Sequence, residues 1–289
     1  LMNIKFSSSH KKPEPESGVL YIVGTPIGNL NDLSYRVINI LKNVSLIACE
    51  DTRQTKKIMS KFEFTNNLIS FNKHNSMSKI PRIINELKAD KSIALVSDAG
   101  MPSICDPGEN LTKSAKSSGI TIICIPGPCA ALTALVSSGL PSSKFTFEGF
   151  LPKKNTEREK ILLEISRNEK TTIIFESPHR LIKLLHELKT YCGGEREIQV
   201  SRELTKQFEE HIGNNINEVI DFFNGTEVKG EITIVMKGIN KSNQNPKFDS
   251  LELKKELHAL TTAGLSLSSA SKYLAKKNNL PKSSIYNLY

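Results

Sequence analysis

Hydrophobic and polar positions alternate along this chain in two patterns from Leu20 onward. Short apolar runs rich in β-branched residues predict strands, and each run ends in a cluster of turn-forming residues. These runs are Leu20–Val23, Leu46–Ala48, Leu68–Phe71, Ile93–Val96 and Thr121–Ile125. Between them, apolar residues recur at helical spacing, as at Leu33, Val37, Ile40 and Leu41. Strands that alternate with amphipathic helices predict a parallel sheet with helices on both faces.

The same alternation resumes after an exposed connection at Leu151–Asn155. Helices are predicted near Glu157–Ile165 and Leu181–Leu188, and strands at Thr172–Phe175, Glu197–Ser201 and Ile232–Met236. We therefore expect an α/β fold with two α/β domains and a cleft between them. The expected divisions are a flexible tail over residues 1–17, α/β domains over 18–151 and 152–239, and a linker with a basic helical tail over 240–289.

The last part of the chain differs in kind. A polar linker, Asn240–Pro246, precedes a helical pattern at Leu251, Leu253, Leu257 and Leu260. Leu267–Lys276 and Pro281–Leu288, joined by a turn at Asn278–Leu280, are typical of a helix-turn-helix. Eight lysines and three acidic residues follow from Lys241 onward. These residues alone leave open whether the tail is a solvated cap or contacts nucleic acid.

Charge and cysteine usage narrow the class of protein. The chain carries 39 Lys and Arg against 30 Asp and Glu, a net charge of +9 that favours polyanionic partners. Its five cysteines form no C-x-x-C pair, and the six histidines form no H-E-x-x-H, so we predict no metal site. Reduced thiols indicate a cytoplasmic protein. Pro126, Gly127 and Pro128 interrupt the longest weakly charged run, so no membrane span is expected.

Polar loops follow the predicted strands, at the edge where parallel sheets bind ligands. The loop after the first strand, Gly24–Asn29, is neither G-x-G-x-x-G nor a P-loop, which disfavours a dinucleotide or nucleoside triphosphate. Glu50, Asp51 and Arg53 follow the second strand, where helix capping explains acidic residues equally well. Ser97–Gly108 contains two acids, two glycines and two prolines. This loop is more elaborate than a connection requires, so we predict that Asp98 holds ligand hydroxyls or balances a cation.

Eight segments in this order resemble the 16S ribosomal RNA cytidine 2′-O-methyltransferases of the tetrapyrrole methylase superfamily. They are LYIVGTPIGNLNDLS, LIACEDTRQT, IALVSDAGMPSICDPG, PGPCAALTAL, FEGFLPKK, IIFESPHRL, SRELTKQFE and KGEITIV. The segments cover Leu20 to about Gly238, and the tail ending in IYNLY is also similar. One such string alone would be weak evidence for the family, but eight in the same order are specific to it.

The resemblance implies a homodimeric, cytoplasmic enzyme that transfers a methyl group from S-adenosylmethionine to a cytidine ribose in the decoding centre of the small ribosomal subunit. The donor is expected in a deep cleft between two domains. Carried over, its contacts are Pro26, Asp98, Gly100, Met101, Ile104, Cys129, Ala130, Ser177, Leu204 and Gly230. Met101 departs from the threonine usual there, which puts a side-chain role at this position in doubt, and Gln54 departs from the frequent histidine.

The reaction also requires a surface for RNA and a proton acceptor. A basic rim is predicted from Arg53, Lys56, Lys57, Lys153, Lys154 and Arg158, with the basic tail. A ribose hydroxyl is a weak acid, so a base should assist its attack on the sulfonium-bound methyl group. Glu50, His179 and Glu231 are the candidates, and none is singled out by the sequence.

Two other functions fit parts of the sequence. A tetrapyrrole methylase acting on a small macrocycle would share the cleft but would not need the basic tail or the CEDTR and ESPHR segments. A non-enzymatic RNA-binding protein would use the helical tail but would leave the Asp98–Gly108 loop without a role.

Overall fold

The computed structural model describes residues 13–239, 250–278 and 282–288. The chain divides into two compact units, Leu1–Gly238 and Ile239–Tyr289. The first unit contains two five-stranded sheets with helices packed on them. The predicted α/β class, with two α/β halves, is confirmed.

The first sheet is entirely parallel. Its strands are β1 (Val19–Val23), β2 (Leu46–Cys49), β3 (Leu68–Ser70), β4 (Ile93–Val96) and β5 (Thr121–Ile125). They lie in the order β3-β2-β4-β1-β5. All five predicted strands are present, with ends that differ by at most one residue.

Helices cover both faces of this sheet, as predicted. They are α1 (Tyr35–Asn43), α2 (Thr52–Lys61), α3 (Ser76–Lys88) and α4 (Glu109–Ser117). A fifth helix, α5 (Ala130–Ser137), follows β5. Tyr21 of β1 packs in one core cluster with Leu41 of α1, whereas its neighbour Leu20 packs on the opposite face with Ile83 of α3. Each fully buried side chain of this kind contributes about 1.5–3 kcal/mol. We call this half of the unit the first lobe.

The second sheet is mixed, unlike the parallel first sheet. Its strands are β6 (Phe145–Phe150), β7 (Thr171–Glu176), β8 (Glu197–Arg202), β9 (Glu210–Asn215) and β10 (Ile232–Met236). In the order β6-β7-β10-β8-β9, only β6 and β7 pair in parallel. The chain reverses in the β8–β9 hairpin and returns through a helix, so β10 runs opposite to both of its neighbours.

Three helices complete this half, which we call the second lobe. They are α6 (Asn155–Arg167), α7 (Pro178–Cys192) and α8 (Ile216–Phe223). They pack on one face of the second sheet. On the other face, Ala134 and Leu135 of α5 pack against Ile173 and Val235, so a helix of the first lobe closes the core of the second. β6 begins before the domain boundary expected near Leu151, and that boundary stays a prediction.

The second unit consists of α9 (Ser250–Thr262), α10 (Leu267–Asn278) and α11 (Lys282–Tyr286) in its described part. These helices share a small core that includes Leu257, Leu274 and Ile285. The predicted linker Asn240–Pro246 lies outside the described residues, as do Asn279, Leu280 and Pro281 of the predicted turn and helix start. In the described ranges, no helix combines the length and apolar character needed to cross a membrane.

The expected flexible tail is described only from residue 13, since residues 1–12 lie outside the described part. Two of the described residues at its end, Glu14 and Glu16, contact the first lobe, and the flexibility of the tail stays a prediction. The Glu14 carboxylate accepts two hydrogen bonds from Arg36, at 2.6 and 2.7 Å. The backbone N–H of Glu16 donates to the Tyr21 hydroxyl at 2.7 Å.

Candidate functional site

A cavity of about 380 Å³ opens between the two lobes of the first unit. Nine of the ten predicted donor contacts line it: Asp98, Gly100, Met101, Ile104, Cys129, Ala130, Ser177, Leu204 and Gly230. The tenth, Pro26, does not line it, although its neighbour Ile27 does. We call this space the cleft cavity. The structure therefore brings these sequence-distant residues together, and their role in binding a donor stays a prediction.

Strand ends of both sheets converge on this cavity. The loops after β1, β4 and β5 supply the first lobe's share, as expected at the carboxyl edge of a parallel sheet. In the second lobe, Ile232 pairs with Glu176 on one side and with Arg202 on the other. The start of β10 and the ends of β7 and β8 therefore share one edge, which brings Ser177, Leu204 and Gly230 together.

Two backbone contacts fix the loops of the first lobe. Thr25 and Gly100 exchange backbone hydrogen bonds of 2.9 and 3.1 Å, which hold the loop after β4 against the loop after β1. The backbones of Gly24 and Gly127 also touch, because a Cβ added to Gly24 would lie 2.6 Å from the Gly127 Cα. The same Cβ would lie 2.7 Å from the Met101 sulfur. Any side chain at Gly24 would thus push these loops apart.

The wall of the cavity is largely apolar with a few carboxylates. Ile27, Phe150, Phe175 and Ile232 add to its apolar surface, and Phe150 meets Phe175 edge to face at 5.7 Å. The acidic members are Asp98, Asp106, Glu176 and Glu231. Of these residues the sequence analysis had proposed only Asp98 and Glu231. The aromatic residues lie in or beside apolar strands, so they could not be told from core positions.

Burial acts on the carboxyl groups at one end of this site. It raises the pKa of Asp98, and the backbone N–H of Asp51, 2.9 Å from Asp98 Oδ1, opposes that shift. The pKa of Asp106 is raised by burial and lowered in part by a hydrogen bond from Ser97. Burial, then the charges of Asp106 and Asp98, raise the pKa of Glu50. These acids therefore form one electrostatically coupled group.

The three predicted proton acceptors lie in different places. Glu231 lines the cleft cavity, and its carboxylate is 3.1 Å from the Lys206 ammonium. Glu50 lines a neighbouring depression instead. His179 is exposed in the first turn of α7 and lines neither space.

Glu176 is a buried acid that the sequence analysis did not single out. Its side chain is fully buried, and its Oε1 accepts a 2.8 Å hydrogen bond from the Ser177 backbone N–H. Arg180 lies 3.3 Å from that oxygen, and Arg158 lies 3.7 Å from Oε2. Glu176 thus joins the cavity wall to two arginines behind it.

Arg158 does not belong to the predicted basic rim. It is only 3% exposed, and its guanidinium lies 2.6 Å from the Glu187 carboxylate. Arg158 follows an exposed glutamate on a polar stretch of α6, but it faces inward to Glu176 and Glu187, so its assignment to the rim was wrong. The other predicted rim residues, Arg53, Lys56, Lys57, Lys153 and Lys154, are exposed.

All five cysteines are free. In the part of the chain that the structure describes, no group of histidine, cysteine and acidic residues is arranged to hold a metal ion.

Comparison with known proteins identifies the class to which this fold and cleft belong. The family model for tetrapyrrole (corrin/porphyrin) methylases matches residues 19–220, and the chain belongs to this family. Solved structures show the same fold. The methyltransferase CobJ matches with a TM-score of 0.60 at 16% identity, covering 77% of this chain and 95% of that one. A Thermus thermophilus uroporphyrin-III C-methyltransferase complexed with S-adenosylhomocysteine matches with a TM-score of 0.54 at 14% identity, covering 76% and 96%.

Relatives of higher identity align with most of the chain. A Synechocystis protein named ribosomal RNA small subunit methyltransferase I is 41% identical over 94% of this chain and 97% of its own length. The Bacillus subtilis protein of the same name is 40% identical over 95% and 94%. The family resemblance read from the sequence is confirmed, and with it an S-adenosylmethionine-dependent methyltransferase as the class of enzyme.

Proposed function

We propose that this protein methylates the RNA of the small ribosomal subunit, on the ribose 2′-hydroxyl of a cytidine, with S-adenosylmethionine as the donor. One observation carries the choice of substrate. Relatives named ribosomal RNA small subunit methyltransferase I match at about 40% identity over more than nine-tenths of both chains, and the cytidine ribose follows from the family resemblance. Exposed Arg53, Lys56, Lys57, Lys153 and Lys154 support a polyanionic partner.

The cleft cavity fits such a donor in size and chemistry. Its volume of about 380 Å³ lies within the range of sites for drug-sized ligands. The apolar side chains of Ile27, Leu204 and Ile232 suit a flat base, and the carboxylates of Asp98 and Glu231 suit ribose hydroxyls and a cationic centre. We assign the ten predicted contacts to this role, with Pro26 acting through the position of its loop.

Chemistry at this site depends mainly on alignment. When bound, the donor supplies an already activated methyl group, so orientation of the two reactants can contribute roughly 7–11 kcal/mol. The protein must also receive the proton that leaves the ribose hydroxyl. We assign this role to Glu231, which lines the cavity wall, or to Glu50, which lines the neighbouring depression.

We also propose that the enzyme acts in the cytoplasm as a homodimer, following its resemblance to the family. The rival substrate is a small tetrapyrrole, which the family description and the solved structures name. The relatives at about 40% identity, which are named for ribosomal RNA, favour RNA.

Mass mapping of ribose methylation on small-subunit RNA tests the proposal. Purified 30S particles that lack the modification are incubated with S-adenosylmethionine, with and without the protein. A new 2′-O-methylcytidine only when the protein is present is expected. Methyl transfer to uroporphyrinogen with none to 30S particles would replace this function with the rival one.

A further inference from the structure

A second depression in the first lobe, of about 400 Å³, borders the cleft cavity. Every residue that lines it is polar or charged. They are Glu50, Asp51, Thr52, Arg53, Ser70, Asn72, Lys73 and His74. We call it the polar pocket. It lies between the turn that follows β2 and the turn that follows β3, and its lining contrasts with the largely apolar wall of the cleft cavity.

The two spaces share a wall. Asp98 lines the cleft cavity, and its Oδ1 accepts the backbone N–H of Asp51, which lines the polar pocket, at 2.9 Å. Glu50 of the polar pocket and Asp106 of the cleft cavity are close enough that the charge of Asp106 raises the pKa of Glu50. A group held in the polar pocket therefore lies next to the reactants of the cleft cavity.

Cationic groups of the polar pocket remain available to an anion. Lys73 is exposed and has no ion pair within 4.0 Å in the described part of the chain. Its charge opposes part of the rise in the pKa of Glu50 and of Asp106. Arg53 binds Asp51 through Nε and Nη2, and its side chain is 85% exposed. Lys56 and Lys57 extend the positive surface along α2.

The turn that carries Lys73 and His74 is held in shape by side-chain amides. Asn75 Oδ1 accepts the Asn72 N–H at 2.9 Å, and Asn72 Oδ1 accepts the His74 N–H at 3.0 Å. Both amide groups also donate to the Ser70 hydroxyl, at 3.3 and 3.2 Å. These bonds fix the backbone beside Lys73, so a ligand meets a preorganised surface.

We propose that the polar pocket binds the RNA strand at the acceptor nucleotide, with Lys73 and Arg53 contacting its phosphates. The inference rests on the proposed function and deepens it by naming where the acceptor binds. A nucleotide combines an anionic phosphate with hydroxyl and base groups, and the pocket combines cations with hydroxyl and amide groups. Enzymes that act on a nucleotide inside a folded nucleic acid take it out of its stack, which requires a second pocket beside the reactive group.

The test compares Lys73→Ala and Lys73→Arg with the wild-type enzyme, and Lys88→Ala serves as a matched control. Lys88 is an exposed lysine in the last turn of α3, the helix that begins just after the pocket. Methylation of unmodified 30S particles gives kcat and the KM for the particle, and calorimetry gives the Kd for S-adenosylmethionine. Subunit binding is also measured over a range of salt concentrations.

We expect Lys73→Ala to raise the KM for the particle roughly 5–10-fold, as the loss of one phosphate contact implies, and to reduce the salt slope by about 0.7–1. Lys73→Arg should restore most of the loss, and Lys88→Ala should match the wild type. The Kd for the donor should be the same in all four proteins.

An unchanged KM and salt slope in Lys73→Ala, with an active wild-type enzyme, would overturn the pocket assignment and leave the proposed function standing. Cytidine monophosphate is also tested as an inhibitor of methyl transfer by the wild type and Lys73→Ala. If it inhibited Lys73→Ala less than the wild type while the KM for the particle stayed the same, the assignment would also be overturned, because the pocket would then hold free anions only. A wild-type enzyme that transfers no methyl group to 30S particles would refute both proposals.

Discussion

The hydroxyl of Thr205 accepts a hydrogen bond from the backbone N–H of Asn29 at 3.1 Å. Thr205 belongs to the loop after β8 in the second lobe, and Asn29 belongs to the loop after β1 in the first. The bond therefore joins the two lobes beside Leu204, which lines the cleft cavity. Glu209 holds Thr205 from the other side, because its carboxylate accepts the Thr205 N–H at 2.7 Å.

Replacing Thr205 with valine should remove this link with little change in shape. Thr205 has a φ of +66°, so valine keeps the branched side chain and the strain of that conformation but loses the acceptor oxygen. We expect a loss of about 1 kcal/mol in the free energy of unfolding, measured in urea, and weaker donor binding. Thr205→Ser keeps the hydroxyl and should retain the affinity. Equal donor affinities for Thr205→Val and the wild type would show that this bond does not shape the cavity.

Asp98→Ala should weaken binding of S-adenosylmethionine by at least about 10-fold, since hydrogen bonds to charged groups contribute roughly 1.5–3 kcal/mol. Calorimetry measures the change. Asp221→Ala removes an exposed carboxylate from α8 and controls for net charge. If Asp98→Ala bound the donor as tightly as Asp221→Ala, Asp98 would lose its assigned role.

Most strands could be predicted because their apolar, β-branched runs are buried on both faces. Ile93–Val96 is an example, with all four residues buried. Strand β9, with the sequence EHIGNN, was missed because it is an edge strand with no buried residue, which backbone pairing with β8 holds in place. The mixed strand direction of the second sheet could not be predicted from the sequence either, since the direction of a strand depends on pairing between distant segments.

Asp98 could be proposed from the sequence because it lies in a polar loop two residues after β4, whereas Ser177 was expected only from the family resemblance. Side-chain direction was not predictable. Arg158 lies between polar residues in the sequence, yet it turns inward toward Glu187 and Glu176. Glu176 ends a buried strand, and only the folded structure shows that two arginines neutralise it while it lines the cavity.

Asp106→Asn should stabilise the protein at neutral pH. Burial raises the pKa of Asp106, so the folded state holds its proton more tightly than the unfolded state does. As pH rises above about 4, the ordinary range for this group, the wild type therefore loses stability that the asparagine variant keeps. Thermal unfolding should give a higher Tm for the variant at pH 7 and equal values below the unfolded pKa.

Asp51→Asn is the matched test, because the pKa of Asp51 is lowered on folding whereas that of Asp106 is raised. The Arg53 side chain and backbone lower the pKa of Asp51 to about 2, so its charge stabilises the folded state above the unfolded pKa. This variant should be less stable than the wild type at pH 7, and the difference should shrink as pH falls from about 4 toward 2. Parallel pH profiles for the two variants would contradict both assignments.

Glu176→Gln should destabilise the protein strongly, because it removes the charge that faces two arginines inside the second lobe. Breaking a buried ion pair costs roughly 3–5 kcal/mol, and Arg158 keeps its bond to Glu187, so we expect a value near the lower end. Arg180 also donates to the Leu151 carbonyl at 2.8 Å, next to Phe150 of the cavity wall. Loss of its partner should therefore weaken donor binding as well.

Glu157→Gln, in α6 of the same lobe, provides the control for that experiment. Glu157 pairs with Lys154 at 3.1 Å, but the two side chains are 60% and 71% exposed. An exposed pair contributes about 0–1 kcal/mol, so this variant should unfold at nearly the same urea concentration as the wild type. The difference between the two variants isolates the effect of burial, since the chemical change is identical. Similar midpoints for both would mean that water reaches Glu176 and that its arginines do not depend on it.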